Sequence, residues 1–245
     1  MAGSKLADDQ RTVEEAPILS YPRLTKCMPD ETRHNPFHAL HKALRYGHCR
    51  MLSGLGAQDF GDDAAAGRLL PQLVTQLELF QAVAEARHAA LLDALARRGL
   101  EAPAAVCQDH ASHMTALAEL QSLVRAVNVA APQRRRLAGR SIYRCYALYT
   151  SADMERMDEE ETVLLTTLQG NLGEEDLRAI TGRTLGRLTP AHFEQLARLL
   201  LPALSVAELE ILLDELRDHM DPAYFTVTVE PAIRTLLAKR SSAAA

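Results

Sequence analysis

In RCYALYTSADMERMDEEETVLLTTL, residues 144–168, charged side chains interrupt an apolar stripe. Ile142, Cys145, Tyr146, Tyr149, Met157, Leu164 and Leu168 recur at the three-and-four spacing of a buried helical face, and Asp153, Arg156 and Glu160 share that face. A buried charge is costly unless it is paired or coordinates a metal. Inward carboxylates beside histidines would bind a cation; beside arginines they would form an internal ion-pair cluster.

Three further apolar stripes are broken in the same manner. Leu70, Leu73, Leu77, Phe80, Ala84, Leu91 and Leu95 bracket Arg87. Val106, Leu117, Leu120, Val124 and Val127 share a face with His110 and His113, and Phe37, Leu40, Leu44, Met51 and Leu55 share one with His41 and His48. His38 stands three residues before His41, and His113 three after His110. A helical histidine pair at that spacing can hold one metal from adjacent turns. A histidine on a half-buried face that is merely hydrogen bonded is the competing reading.

These side chains need four long helices to position them. Asn35 and Pro36 suit the start of the first, and Gly54 and Gly56 its end. The second covers about 63–98 and stops at Gly99, the third 104–128, and the fourth 133–169, before Gly170, Asn171 and Gly173. Short connections predict an all-α, up-down-up-down four-helix bundle. In that topology the starts of helices one and three lie beside the ends of two and four. His41 and His110 are about two turns inside their starts, and Arg87 and Glu160 about three turns before their ends. The polar breaks should therefore meet at one level, as a cluster inside the bundle near one end.

The organisation expected is a loosely ordered lead-in over 1–34, the bundle over 35–172, a helical appendix over 173–240 and a frayed tail over 241–245. In the appendix, Ser205 and Glu208 form a capping box, and Thr189-Pro190 and Asp221-Pro222 are cap-then-proline starts.

A net charge of −5 with dispersed Lys and Arg argues against a nucleic-acid partner; only Arg134, Arg135 and Arg136 cluster, and they read as a solvated face. No apolar run approaches membrane-span length, so no membrane partner is expected. The widely spaced Cys27, Cys49, Cys107 and Cys145 form neither a zinc ribbon nor a redox pair, and read as buried reduced thiols of a cytoplasmic protein. Tyr143, Tyr146 and Tyr149 read as core or boundary residues. Asp109 beside His110 lacks an accompanying nucleophile motif, and GLGAQDFG lacks the strand that a dinucleotide loop requires.

The stretches NPFHALHKALR, QDHASHMTAL and MDEEETVLL resemble the hemerythrin-like (HHE cation-binding) family, and LLPALSVAELEILLDEL is similar to the tail of its longer bacterial members. The likeness spans most of residues 34–240. It implies a four-helix bundle holding two non-haem irons between inward histidines and carboxylates. His41, His110 and Glu160 fall on positions where the family supplies ligands, with His38 and His113 as substitutes. Three other ligand positions fall on Val83, Arg87 and Arg156, none of which ligates iron under ordinary conditions. Arginine repels the metal a histidine would have bound.

The expectation is therefore a degenerate di-iron site in which Arg87 and Arg156 neutralise Glu160 together with Asp153. No cofactor is then held, and the chain acts as a helical scaffold for a small molecule or a protein partner, as a monomer or homodimer. The alternative is a remodelled non-haem iron site, built on His41, His110 and Glu160, serving oxygen or redox sensing, storage or oxidation.

Overall fold

The computed structural model describes residues 29–243, and within them regular structure is helix throughout, with no strand. The four long helices are α1 (His38–Ala57), α2 (Asp63–Arg97), α3 (Ala104–Asn128) and α4 (Pro132–Glu159). α1 packs on α2, α2 on α3, α3 on α4, and α4 back on α1.

Local signals set most of the boundaries. Gly99 carries a positive φ of 68°, which closes α2 in a conformation open to glycine. Pro103 immediately precedes α3, and Pro132 occupies the first position of α4. α1 begins at His38, later than Asn35 predicts, because Asn35 Oδ1 accepts from the Phe37 N–H in a preceding turn. It also runs through Gly54 and Gly56 to Ala57. Two glycines in a helix cost propensity, yet the burial of Met51 and Leu55 holds the last turns in place.

The fourth helix is not uniform. After Glu159 the ladder widens into a π segment, Glu160–Leu164, and resumes as α5 (Leu165–Asn171). Such widened turns concentrate at functional positions. This one begins at the carboxylate that interrupts the apolar stripe.

Beyond Gly173 come α6 (Glu174–Gly186), α7 (Pro190–Ala203), α8 (Val206–His219) and a last rod. That rod is α9 (Pro222–Tyr224), a second π segment (Phe225–Val229) and α10 (Glu230–Ala243). The capping box is formed: Ser205 Oγ accepts from the Glu208 N–H, and a Glu208 carboxylate oxygen accepts from the Ser205 N–H at 2.8 Å. Thr189 and Asp221 likewise accept from His192 and Tyr224 N–H groups. α6 lies along α2 and α7 along α1, so these helices flank the α1–α2 side.

Helix continues through residues 241–243, where fraying was expected, and residues 244–245 lie outside the described part. Of the loosely ordered lead-in expected over 1–34, residues 1–28 also lie outside it. The described remainder is anchored: Arg33 donates to the carbonyls of Gln169 and Leu172, and His34 contacts Glu215 at 2.9 Å.

Gly182 on α6 meets the end of α8 at very close range. A Cβ added there would stand 2.7 Å from His219 Cβ and 2.8 Å from its carbonyl oxygen. Backbone cannot yield as a flexible side chain can, so Gly182→Ala is expected to cost roughly 1–3 kcal/mol, the usual penalty of overpacking. Urea unfolding of the variant checks this.

The buried apolar residues form two clusters. The larger contains Val83 and Ala86 of α2 and Met157 of α4, together with most of α1 and the α7–α10 interior. The smaller starts at Ala90 on α2 and Leu165 on α5 and reaches Leu177 and Ile180 on α6. Arg87 and Glu160 lie between the two, in a polar layer that divides the core.

Candidate functional site

Three helices supply most of that layer. α1 contributes His41 and His48, both fully buried; α2 contributes Arg87, 6% exposed; α4 and the π segment contribute Asp153, Arg156, Glu160 and Glu161. The i,i+4 spacing of the fourth helix brings Arg156 to Glu160, with Nη1 of Arg156 donating to Oε1. Its i,i+3 spacing brings the same guanidinium to Asp153 Oδ1, through Nε at 3.0 Å and Nη2 at 2.6 Å. Both edges of Arg156 are thereby used.

Arg87 approaches from the next helix. Its Nη1 lies 2.7 Å from His41 Nε2 and 2.9 Å from Glu160 Oε2. On the far edge of the same ring, His41 Nδ1 is 2.7 Å from Glu161 Oε1, which Arg45 Nη1 also meets at 2.7 Å. Nδ1–H donates to Glu161, and Nε2 lies between the Arg87 guanidinium and Glu160 Oε2, the latter at 3.0 Å. Glu160 Oε2 is buried, 2.9 Å from Arg87 Nη1 and 3.0 Å from His41 Nε2, yet no N–H is aimed well enough for a hydrogen bond. Its stabilisation is therefore mainly Coulombic.

A second arm runs deeper into the larger core. His48 Nε2 donates to Asp153 Oδ2 at 2.9 Å, while its Nδ1 faces the hydroxyls of Tyr146 and Thr150, each at 3.2 Å. Gln76 in turn donates to Tyr146 Oη at 2.9 Å. His113 of α3 reaches Asp153 with Nδ1 at 3.3 Å. One polar chain thus passes from Gln76 through His48, Asp153, Arg156, Glu160, Arg87 and His41 to Glu161 and Arg45. A network of this kind is stable only when its members are satisfied, because the low local dielectric penalises any that is not.

The electrostatics follow from these contacts. Burial raises the Glu160 carboxyl, but Arg87, His41 and Arg156 outweigh it and hold the group at about 2. Burial likewise opposes the Asp153 charge, and His48, Arg156 and His113 bring the carboxyl well below its ordinary range. For His113, burial and the Arg156 charge win over Asp153, lowering the ring to about 4 and leaving it neutral at physiological pH. Burial also pushes the Arg87 guanidinium down, offset in part by Glu160.

Of the residues expected at the site, His41, Arg87, Asp153, Arg156 and Glu160 converge, and His113 joins through Asp153. His110 does not. It stacks on His88 across α2 and α3, with ring centroids 4.0 Å apart and planes 3° from parallel. His38 is exposed and pairs with Glu208 at 2.9 Å, outside the bundle interior, so it is no substitute ligand. Glu161 and Arg45 were missed: in a regular helix the residue after an inward Glu160 turns away, whereas the wider π turn lets both carboxylates grip one imidazole. His48 shared an apolar stripe, which was its signal. The thiol expectation is corrected as well, since Cys49, Cys107 and Cys145 are exposed on outward faces, and Cys27 lies outside the described residues. Tyr146 and Tyr149 are buried, whereas Tyr143 is 40% exposed.

A di-iron centre of the kind the resemblance implies does not fit this donor set. His41 Nε2 and Glu160 Oε2 are close enough to share an ion, but Arg87 Nη1 stands at hydrogen-bond distance from both. Asp153 is committed to Arg156 and two histidines, and Glu161 faces the opposite edge of His41. Among the described residues, no group of three or more His, Cys, Asp or Glu side chains is arranged to hold a metal ion.

The cluster opens on one side. A cavity of about 370 Å³ is bounded by α2, α3 and the α4, π and α5 segments, with Arg87, Arg156 and Glu160 on one wall and His88 and His110 on another. Its remaining walls are largely apolar, and no described residue beyond 173 lines it. Among the described residues no helix is long and apolar enough to cross a membrane. In comparisons with known proteins, no family model, curated protein or solved structure matches the chain.

Proposed function

We propose that this chain is a metal-independent, hemerythrin-like scaffold: an up-down-up-down four-helix bundle with a C-terminal helical appendix, whose cavity binds a small ligand. The closed sequence of contacts among α1, α2, α3 and α4 supports the topology. The observation that carries the functional reading is the position of Arg87 Nη1, between His41 Nε2 and Glu160 Oε2, two groups on ligand positions of the resemblance that could otherwise share an ion. A fixed guanidinium supplies the positive charge that Glu160 requires, and it cannot be deprotonated to make room for a metal.

Metal analysis of untagged protein, before and after aerobic and anaerobic iron loading, tests this. The expected result is no stoichiometric iron in the wild-type chain. Stoichiometric iron that disappears in Glu160→Ala would overturn the proposal. Restoring ligand types with Arg156→His and Arg87→Glu is expected to create iron affinity absent from the wild type. A folded double variant that gains none would show that these two positions do not correspond to ligand positions.

A further inference from the structure

The Arg87 guanidinium is used on one nitrogen only. Nη1 faces His41 and Glu160, whereas among the described residues Nε and Nη2 make no hydrogen bond. Neither nitrogen is a sealed, unsatisfied atom, so both reach accessible space. The side chain is nevertheless only 8% exposed, and the space it lines is the 370 Å³ cavity. Arg156 differs, because Glu160 and Asp153 take all three of its nitrogens.

A free Nε–Nη2 edge is a planar pair of parallel donors, the shape that a carboxylate accepts bidentately. It offers no acceptor, so a neutral or cationic head group would leave its donors unmatched. The opposing carboxylates do not fill the role: Glu160 is bound to Arg156 and held beside Nη1, and Asp109 and Glu159 stand exposed at the rim, screened by solvent. Burial works against the Arg87 charge and Glu160 offsets this only in part, so a second anion at the free edge is favoured. Phe37, Leu91, Val106 and Leu164 supply the apolar wall. The volume is at the small end of the roughly 300–1,000 Å³ typical of small-molecule sites.

We propose that this cavity binds a small organic monocarboxylate with an apolar body, its carboxylate on the Nε–Nη2 edge of Arg87 and its body against Phe37, Leu91, Val106 and Leu164. This rests on the metal-independent reading and gives its ligand a chemical class. A single guanidinium edge in an apolar cavity suits one negative charge better than a dianionic phosphate.

Calorimetric titration of the full chain with octanoate tests the assignment, with octanol, octylamine, acetate and inorganic phosphate as comparisons. Octanoate is expected to bind, and each comparison to bind roughly tenfold or more weakly, the worth of a charged hydrogen-bonded pair or of the buried body. Arg87→Gln should abolish the preference for octanoate over octanol. Should that variant not fold, Val106→Trp fills the cavity without touching the ion-pair cluster and should remove octanoate binding while leaving the urea midpoint near wild type. Octanoate binding unaffected by Val106→Trp, equal binding of octanoate and octanol, or no octanoate binding to the folded wild type would overturn the assignment. Iron content measured on the same preparation separates the two readings: no octanoate binding without iron removes the ligand class alone, whereas stoichiometric iron removes the metal-independent scaffold.

Discussion

Arg156→Met is expected to lower the free energy of unfolding by about 3–5 kcal/mol, the usual cost of removing one partner from a buried ion pair. The reason is the double duty of this guanidinium. It supplies Nη1 to Glu160 and both Nε and Nη2 to Asp153, and Asp153 is only 3% exposed. Without it, Asp153 keeps His48 and the neutral His113, and Glu160 keeps Arg87 and His41. Two carboxylates would then share one buried cation.

Met retains most of the apolar stem, so the loss reports charge and hydrogen bonding rather than a cavity. Glu160→Gln in the same chain removes one of the stranded charges and should recover part of the loss. A double-mutant cycle in urea is expected to show a coupling of roughly 0.5–3 kcal/mol between these positions. Strict additivity, with an Arg156→Met loss below about 1 kcal/mol, would mean that the pair behaves as a solvated surface bridge.

The second large effect is on pH dependence. His113 titrates near 4 in the folded protein, against an ordinary value of 6.5. Between these values the unfolded chain binds a proton that the folded chain refuses. The stabilisation is fully present above pH 6.5 and is lost as pH falls towards 4, an effect of about 3 kcal/mol. Burial is the main cause, followed by Arg156 and Asp153 on α4, Arg87 on α2 and Glu160, while the Tyr149 hydroxyl faces the ring at 3.5 Å.

Glu160 adds a lower limb. Its carboxyl stands at about 2 in the fold, against 4.5 ordinarily, so its contribution is complete above pH 4.5 and is lost as pH falls through 2. This is again about 3 kcal/mol. Domains of ordinary stability have only about 5–15 kcal/mol to lose, so the two limbs together, about 6 kcal/mol once pH nears 2, are a large share of it. Urea midpoints measured from pH 8 to 2.5 should decline from pH 6.5 downwards in the wild type. His113→Leu should flatten the upper limb and leave the lower one. A wild-type profile flat to pH 5 would contradict the assignment of a buried neutral His113.

How much of this was legible in the chain depends on the range of the interactions. The ends of α2, α3, α7 and α8 follow from Gly99, Pro103, Thr189-Pro190 and the Ser205–Glu208 box, each acting within a turn or so of its own position. Arg87, Asp153 and Glu160 could be read as inward because helical spacing alone assigns them a face. The level argument placed His41 beside Arg87 and Glu160, since helix length and short connections determine which turns lie opposite.

His110 satisfied the same face and level tests and still failed to join the cluster. Spacing does not determine helix rotation, and α3 turns this ring onto His88 at the cavity wall. Glu161 shows the complementary failure, for a π turn has no clear periodic signature and shifts every later side chain relative to an α-helical projection. The cysteines depended on which side of a narrow stripe they fell: Cys145 precedes the buried Tyr146 and Cys49 follows the buried His48, and both face outward.

By itself the sequence determined an all-helical chain, the extents of its long helices and an inward charge balance in which arginines face carboxylates, because these depend on local propensity and on a 3.6-residue period. Only the tertiary structure decided which nitrogen meets which oxygen, that among the described residues Arg156 is saturated while Arg87 keeps a free edge, and that the described helices after Gly173 lie along α1 and α2 without lining the cavity. Those outcomes depend on helix rotation, on the widened turn at Glu160 and on packing between segments more than a hundred residues apart, and none of these is written in any short stretch of the chain.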